Sequence, residues 1–257
     1  MVSIRILSAD GVIRAEAAGS EYANLLFNGT YNEGDGIEFR ADQSRVRVKV
    51  DSQVEEARVY LAGGGFTYRI PLSGDNPAVY APGAFSGDRH LISIRPDGEN
   101  ERRNVALNPA DQRGTVTAYP HATANVETRN ESVFCARNVI DGITIANGHG
   151  RWPYESWGIG ARTDACLTLD FGRDVEIDEM VLYLRADFPH DAYWIKASVT
   201  LSNGFEKTFP LEGIDGPQRV SLGKQTVRWL KLDRLVKCDN PSAFPSLRQL
   251  EVYGRDA

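Results

Sequence analysis

Two stretches carry most of the side chains that could do chemistry. Residues 138–158, NVIDGITIANGHGRWPYESWG, crowd His149, Arg151, Trp152, Tyr154 and Trp157 into nine positions. Residues 183–194, YLRADFPHDAYW, add Arg185, Asp187, His190, Asp191 and Trp194. A sugar ring offers a C–H face that stacks on aromatic rings, and its hydroxyls need multivalent donors and acceptors such as Arg, Asp and His. Arg185 and Asp187 are two apart and share one face of an extended chain. Pro189 then ends the strand and turns His190 and Asp191 outward. The expected site is a rim of His149, Arg151, Arg185, Asp187 and His190, with Trp157 or Trp194 as the platform. Beside it stand blander readings. Trp152 and Trp229 suit packing roles, only one of Tyr193 and Trp194 can face inward on a strand, and Arg185 with Asp187 can be a solvated ion pair contributing little.

Other chemistries lack their signatures. No GxSxG, HExxH or GxxxxGK[ST] occurs. The glycines at 63–65 have no strand–GxGxxG–helix context and are expected to form a hairpin turn. The four histidines are scattered; His149 and His190 could meet Asp187 in a metal or acid–base site, which sequence separation does not decide. Cys135, Cys166 and Cys238 are odd in number without CxxC spacing, so core thiols are expected. A net charge of −6 opposes nucleic acid or an anionic membrane as partner. No window has the eighteen apolar residues of a span, and the first residues lack a signal peptide's basic and apolar regions. Taken as it stands the chain is expected in the cytoplasm, or outside the cell if a leader has been removed.

The elements that must position these residues read as strands. Alternating runs at Gly36 to Phe39, Val46 to Val50, Ala57 to Ala62, Thr67 to Leu72 and Leu91 to Arg95 are bounded by turn chemistry such as NEGDG and SGDNP. VRVKV sets Val46, Val48 and Val50 on one face and Arg47 and Lys49 on the other, so one sheet face is buried and one wet. The rhythm resumes in CLTLDFG, EMVLYLRA, ASVTLSNG, VRWLKLDRL and LRQLEVYG. No stretch keeps a 3.6 period for twelve residues, which leaves room only for short helical turns. Residues 95–114, polar and carrying two prolines, read as a linker or the first arm of a second domain.

From Asn104 onward the phrases RNVALNPAD, HATANVET, ARNVIDG, RWPYESWG, CLTLDFGRDVEIDEMVLY, VRWLKLD and LRQLEVYG occur in an order that resembles the discoidin, or coagulation-factor type C, family, and is similar to family 32 carbohydrate-binding modules. The resemblance covers about residues 104–254. It implies a galactose-binding-like jelly roll whose end loops hold a ligand, often a sugar, and commonly a calcium ion that orders the loops. Carried onto this chain, the metal ligands would be Asp141 and Glu251, completed by backbone oxygens near Asn138 and a loop oxygen such as that of Thr144, a hard-oxygen shell of the kind calcium takes. The chain departs from the pattern in having no terminal cysteine pair and in the tract ITIANGHG.

The expected fold is therefore all-β: two tandem antiparallel β-sandwiches, residues 1–103 of unknown role and residues 104–257 the galactose-binding-like jelly roll. The expected function is non-catalytic carbohydrate binding by end loops ordered by calcium, with a separate carbohydrate-active enzyme as a further partner and neither nucleic-acid binding nor membrane insertion. Two other readings stand beside it. One is an intracellular interaction or accessory subunit of a sugar-processing complex; the other is an enzyme using Arg185, Asp187 and His190 on a sugar.

Overall fold

The computed structural model describes residues 1–114, 116–186 and 192–257. Among these there is no α-helix; strands are joined by loops and four 3-10 turns. Among the described residues no helix is long and apolar enough to cross a membrane.

The first sandwich uses β1 (Val2–Leu7), β2 (Ile13–Gly19), β3 (Ala23–Asn28), β4 (Gly36–Ala41), β5 (Arg45–Lys49), β6 (Ala57–Leu61), β7 (Gly65–Arg69) and β8 (Arg89–Pro96). One sheet runs β2-β1-β4-β7. The facing sheet runs β6-β5-β8-β3 and gains a short edge strand from further along the chain. Alternation explains the packing: Val46, Val48 and Val50 point into the core while Arg47 and Lys49 stay half-buried. Strands β1 to β3 lie outside the runs named from the sequence, although Val2, Ile4 and Ile6 alternate inward in the same way. The glycine turn does not make a hairpin. Its flanking strands β6 and β7 belong to opposite sheets, so the turn crosses the sandwich, with Gly63 and Gly64 at φ of +110° and +79° that side chains rarely adopt.

The chain then crosses to the second sandwich and back. Strand β9 (Arg103–Asn104) pairs with the last strand of the molecule, and Val105 and Ala106 join the second core. Ala110 and Ala118 return to the first core, and β10 (Ala118–Tyr119) pairs with β6. The polar stretch expected as a linker or the first arm of the second domain thus gives that domain a strand and contributes to both cores.

The second sandwich contains β11 (His121–Ala124), β12 (Trp157–Gly158), β13 (Leu167–Leu184), β14 (Trp194–Leu201), β15 (Glu206–Pro210), β16 (Pro217–Lys237) and β17 (Ser246–Asp256). Its sheet order is β12-β17-β13-β16-β14-β15, with β11 also on β13. Strands β13 and β16 are long because each bends through irregularities, at Asp170 to Val175 and at Ile177 to Glu179 on β13, and so serves both layers of the sandwich. Gly172 sits at the first bend with φ of +67°, and a Cβ there would meet the Tyr119 ring at 2.4 Å. The core between the layers is built from Leu167, Leu169, Leu182, Trp194, Leu230, Leu232, Leu250 and their neighbours.

Candidate functional site

At one end of the second sandwich a cavity of about 270 Å³ is lined by Thr128, Arg129, Phe134, His149, Arg185, Ser242 and Phe244, among others. Arg185 follows the last residue of β13, and its backbone N–H donates to the Ser246 carbonyl at 3.0 Å. Its guanidinium is almost wholly buried. Nη1 donates to the Tyr154 carbonyl at 2.6 Å and Nη2 to the Gly148 carbonyl at 2.8 Å. A planar fork with fixed donors can hold two carbonyls at once. Arg185 therefore anchors the loop that carries His149, whose exposed ring lies 5.5 Å from the Tyr154 ring.

The opposite wall comes from the loop between β16 and β17. The Lys237 ammonium donates to the carbonyls of Cys238 and Asn240, and the Ser242 N–H donates to Asn240 Oδ1 at 2.8 Å. This local bonding leaves Phe244 at the rim, 56% exposed. Arg129 adds a guanidinium over the Phe134 ring at 5.3 Å while pairing with Glu131 at 2.6 Å. An exposed aromatic ring, an imidazole, guanidinium groups and hydroxyls thus face one concavity, a set suited to a ring with one apolar face and several hydroxyls.

The expected platforms are not here. Trp157 is fully buried, donates its indole N–H to the Val126 carbonyl at 2.9 Å, and packs 6.0 Å from the equally buried Trp194. Burying about 200 Å² of ring at about 25 cal/mol per Å² contributes roughly 5 kcal/mol. A platform role would forfeit that, so both tryptophans belong to the core. Arg151 is exposed on the same loop but lies outside the cavity wall. Asp187 and His190 lie outside the described residues. Of the expected rim, the structure brings together His149 and Arg185; Phe244, Ser242 and Arg129 join them from stretches outside the two expected to carry the site. The signal available for Phe244 was an aromatic set between Ser242 and Pro245 just before a strand, in a stretch, NPSAF, otherwise made of turn formers.

None of the residues of a separate buried charge cluster lines this cavity. Arg137, Asp141, Glu155 and Arg248 are all buried, on or beside the 3-10 turn Ala136–Ile140 and the loop before β12. Arg137 Nη1 stands 3.9 Å from Asp141 Oδ2, its Nη2 donates to the Pro109 carbonyl at 3.2 Å, and its guanidinium lies 5.3 Å over the Tyr80 ring. Burial pushes the carboxyls of Asp141 and Glu155 above the usual carboxylate range, and the neighbouring arginines only partly oppose it.

The residues expected to hold calcium lie on the 3-10 turn Ala136–Ile140, on the loop that follows it and on β17. Asn138 sits on the 3-10 turn, its carboxamide donating to the carbonyls of Ser132 at 2.9 Å and Ser156 at 3.3 Å. Asp141 Oδ1 accepts the Ile143 N–H at 2.9 Å, and Thr144 is half-buried on the loop that follows. Glu251 accepts the Tyr253 hydroxyl at 3.2 Å. The β17 residue that meets the Asp141–Gly142 turn is Gln249, whose carboxamide accepts the Gly142 N–H at 3.3 Å and donates to the Val139 carbonyl at 3.2 Å. Glu251 is two residues, about 7 Å, further along the strand. The turn therefore meets a neutral amide where a carboxylate was expected, and a dication would have to share Asp141 with the Arg137 guanidinium. Among the described residues no three of His, Cys, Asp and Glu group in a way that could hold a metal ion.

No protein-family model matches the chain, and a search of curated proteins finds no significant match. Solved structures similar to it include chitosan-binding module 1 from a chitosanase/glucanase of Paenibacillus sp. IK-5, at 17% identity and a TM-score of 0.41 over 59% of this chain and 99% of that one. A mutant lectin binding domain of Lectinolysin complexed with Lewis b matches at 18% identity and 0.45, over 62% of this chain and 100% of that one. The family 32 carbohydrate-binding module of C. perfringens NanJ, in complex with galactose, matches at 18% and 0.37, over 51% and 91%.

Proposed function

We propose that the chain is a carbohydrate-binding protein that takes a sugar ring into the cavity at the end of the second sandwich, for affinity and placement. The observation that carries the reading is the exposed Phe244 ring facing a wall that includes His149, Arg185 and Ser242. The ring of Phe244 is the stacking platform. His149 and Ser242 meet the hydroxyls, and Arg185 holds the 148–154 loop in the shape that presents His149. Because those bonds exist before any ligand arrives, little ordering cost remains to be met on binding. In this reading the loop is fixed by the Arg185 fork.

A glycan array carrying terminal galactose, fucose and hexosamine tests the reading. Retention of at least one glycan is expected, and Phe244→Ala weakens it about five- to tenfold in Kd, the worth of one stacked ring at about 1 kcal/mol. Equal retention by Phe244→Ala removes the platform; no retention across the array removes the function.

A further inference from the structure

The first sandwich leaves one sheet edge open. Strand β3 ends the sheet β6-β5-β8-β3 and pairs with β8 on one side alone. The Gly29 N–H donates to the Asp88 carbonyl at 2.8 Å, and residues bonded to the same neighbour recur at every second position, so Ala23, Leu25 and Phe27 turn their backbone groups to β8. Asn24, Leu26 and Asn28 therefore aim theirs away from the sheet, and among the described residues nothing bonds them there. Arg14 of β2 closes on the Thr30 carbonyl at 2.9 Å, just beyond the strand, which bounds the open stretch at its Asn28 end.

Exposed edges template the pairing of another strand, and folded proteins guard them with charges, proline, bulges, short length or a cover. The strands that end the other sheet edges carry such guards. Strand β2 bears Arg14 and Glu16 and a register shift against β1. On β7 the Gln112 carboxamide bonds both the N–H and the carbonyl of Arg69, at 2.9 and 2.7 Å, and the Thr117 hydroxyl donates to the Gly65 carbonyl at 2.7 Å. Strand β15 holds Glu206, Lys207 and Pro210, while β10 and β12 have two residues each. Strand β3, ANLLFN, has no charge, no proline and no register shift. Its Leu26 stands beside Leu91 of β8 as a cross-strand pair, 55% and 48% exposed. An apolar pair flanking an unguarded edge gains by losing its water when a further strand docks.

The residues of the edge say which strand fits. An antiparallel copy placed about a two-fold axis through Leu26 sets Leu26 against the partner's Leu26 and Asn24 against the partner's Asn28. Leucine meets leucine, a carboxamide that both donates and accepts meets its own kind, and no like charges oppose. Such a match at every facing position is demanded of a second copy and of no other partner, and a two-fold contact closes on itself.

We propose that β3 is a self-association surface, joining the sheets of two copies edge to edge through the backbone of Asn24, Leu26 and Asn28. The pairing stands on the edge alone; its use, carrying two end cavities in one assembly so that a glycan-dense surface is gripped twice, rests on the sugar-binding reading. Three edge residues and one apolar pair make less than the roughly 800 Å² per partner of a standard stable interface, so the dimer is weak, with a Kd on the order of 100 μM. Sedimentation velocity of the full chain from about 1 μM to about 1 mM tests it, with amide exchange followed at both ends of that range. A monomer–dimer equilibrium is expected, with the Leu26 and Asn28 amides slowed at the high end. Leu26→Lys sets two ammonium groups face to face, and Asn28→Pro removes an outward N–H where an edge strand admits proline; each weakens dimerisation about tenfold or more. Both positions are exposed, so an unchanged melting temperature shows that the fold is kept; if Asn28→Pro lowers it, Leu26→Lys decides alone. A chain that stays monomeric throughout overturns the proposal and leaves the edge to an extended segment of another protein. A dimer indifferent to both substitutions overturns it equally, because a different surface would then join the copies.

Discussion

At the level of single side chains, the end cavity divides labour between residues that touch a ligand and residues that hold those in place. Phe244 and His149 are exposed and can touch; Arg185 is buried and holds. Gln249 matters for a different reason. It bonds the Asp141–Gly142 turn with an uncharged amide while Asp141 faces the Arg137 guanidinium, an arrangement that disfavours a dication, so adding calcium or a chelator is expected to leave the melting temperature unchanged. A rise with calcium would restore the metal. His121 supplies a pH signature: burial lowers its pKa, but the 2.7 Å bond to Asp111 and that residue's charge outweigh burial and raise it above 6.5. A His with a raised folded pKa contributes stability that is fully present below 6.5 and is lost as pH rises through the raised value. His121→Gln should flatten the fall in melting temperature over that window, and an unchanged slope would show that the pair does not couple to folding. The sequence alone named the residue types of the site, yet it could not separate Trp157 from Phe244. Both are aromatic in turn-rich surroundings, and only packing buries one and leaves the other at a rim.

Among the elements, β13 carries the functional consequence. Its bend lets one strand serve both layers, and its end delivers Arg185 under the 148–154 loop. Arg185→Ala should speed amide exchange in that loop while the strands keep their protection. Arg185→Lys should not restore it, because a point charge cannot bridge two carbonyls as a planar fork does. Exchange confined to the strands instead would mean that the arginine supports the core rather than the loop. Alternation made β4, β5, β6 and β8 legible, since one buried and one wet face force a period of two. At 63–65 the expected hairpin gives way to a crossing for a physical reason: a glycine run fixes where the chain reverses but not whether the next strand joins the same sheet. The polarity of residues 95–114 suits a linker or the first arm of the second domain alike; β9 makes part of it the arm, and part of its polarity goes into ion pairs. Asp97 binds Arg47 at 3.1 Å and Arg58 at 2.7 Å.

For the whole molecule, the question is what keeps two cores together. Asp256, at the end of β17, is nearly buried and gathers Arg45 of the first sandwich at 2.8 Å and Arg173 of the second at 2.5 Å, with Arg103 at 3.7 Å. The arginines hold its carboxyl below the usual range against the opposing effect of burial. Removing one member of such a cluster leaves the others buried and unbalanced, at a cost of about 3 kcal/mol. Asp256→Ala should therefore lower the melting temperature by about 6–10 °C in a chain of this size. A change within a degree or two would mean that apolar packing alone joins the halves. The all-β class and the paired sandwiches followed from the sequence, but the double crossing of residues 104–119 between cores did not. It depends on the small side chains of Ala106, Ala110 and Ala118 fitting opposite cores, a matter of space that hydropathy does not encode.

The most direct test of the account is a crystal structure of the chain with the glycan it retains best on the array. The account predicts a sugar ring stacked on Phe244, with His149 and Ser242 within hydrogen-bond reach of its hydroxyls and the 148–154 loop unmoved. A glycan seated elsewhere on the second sandwich, or a loop rebuilt around a bound cation, would contradict it.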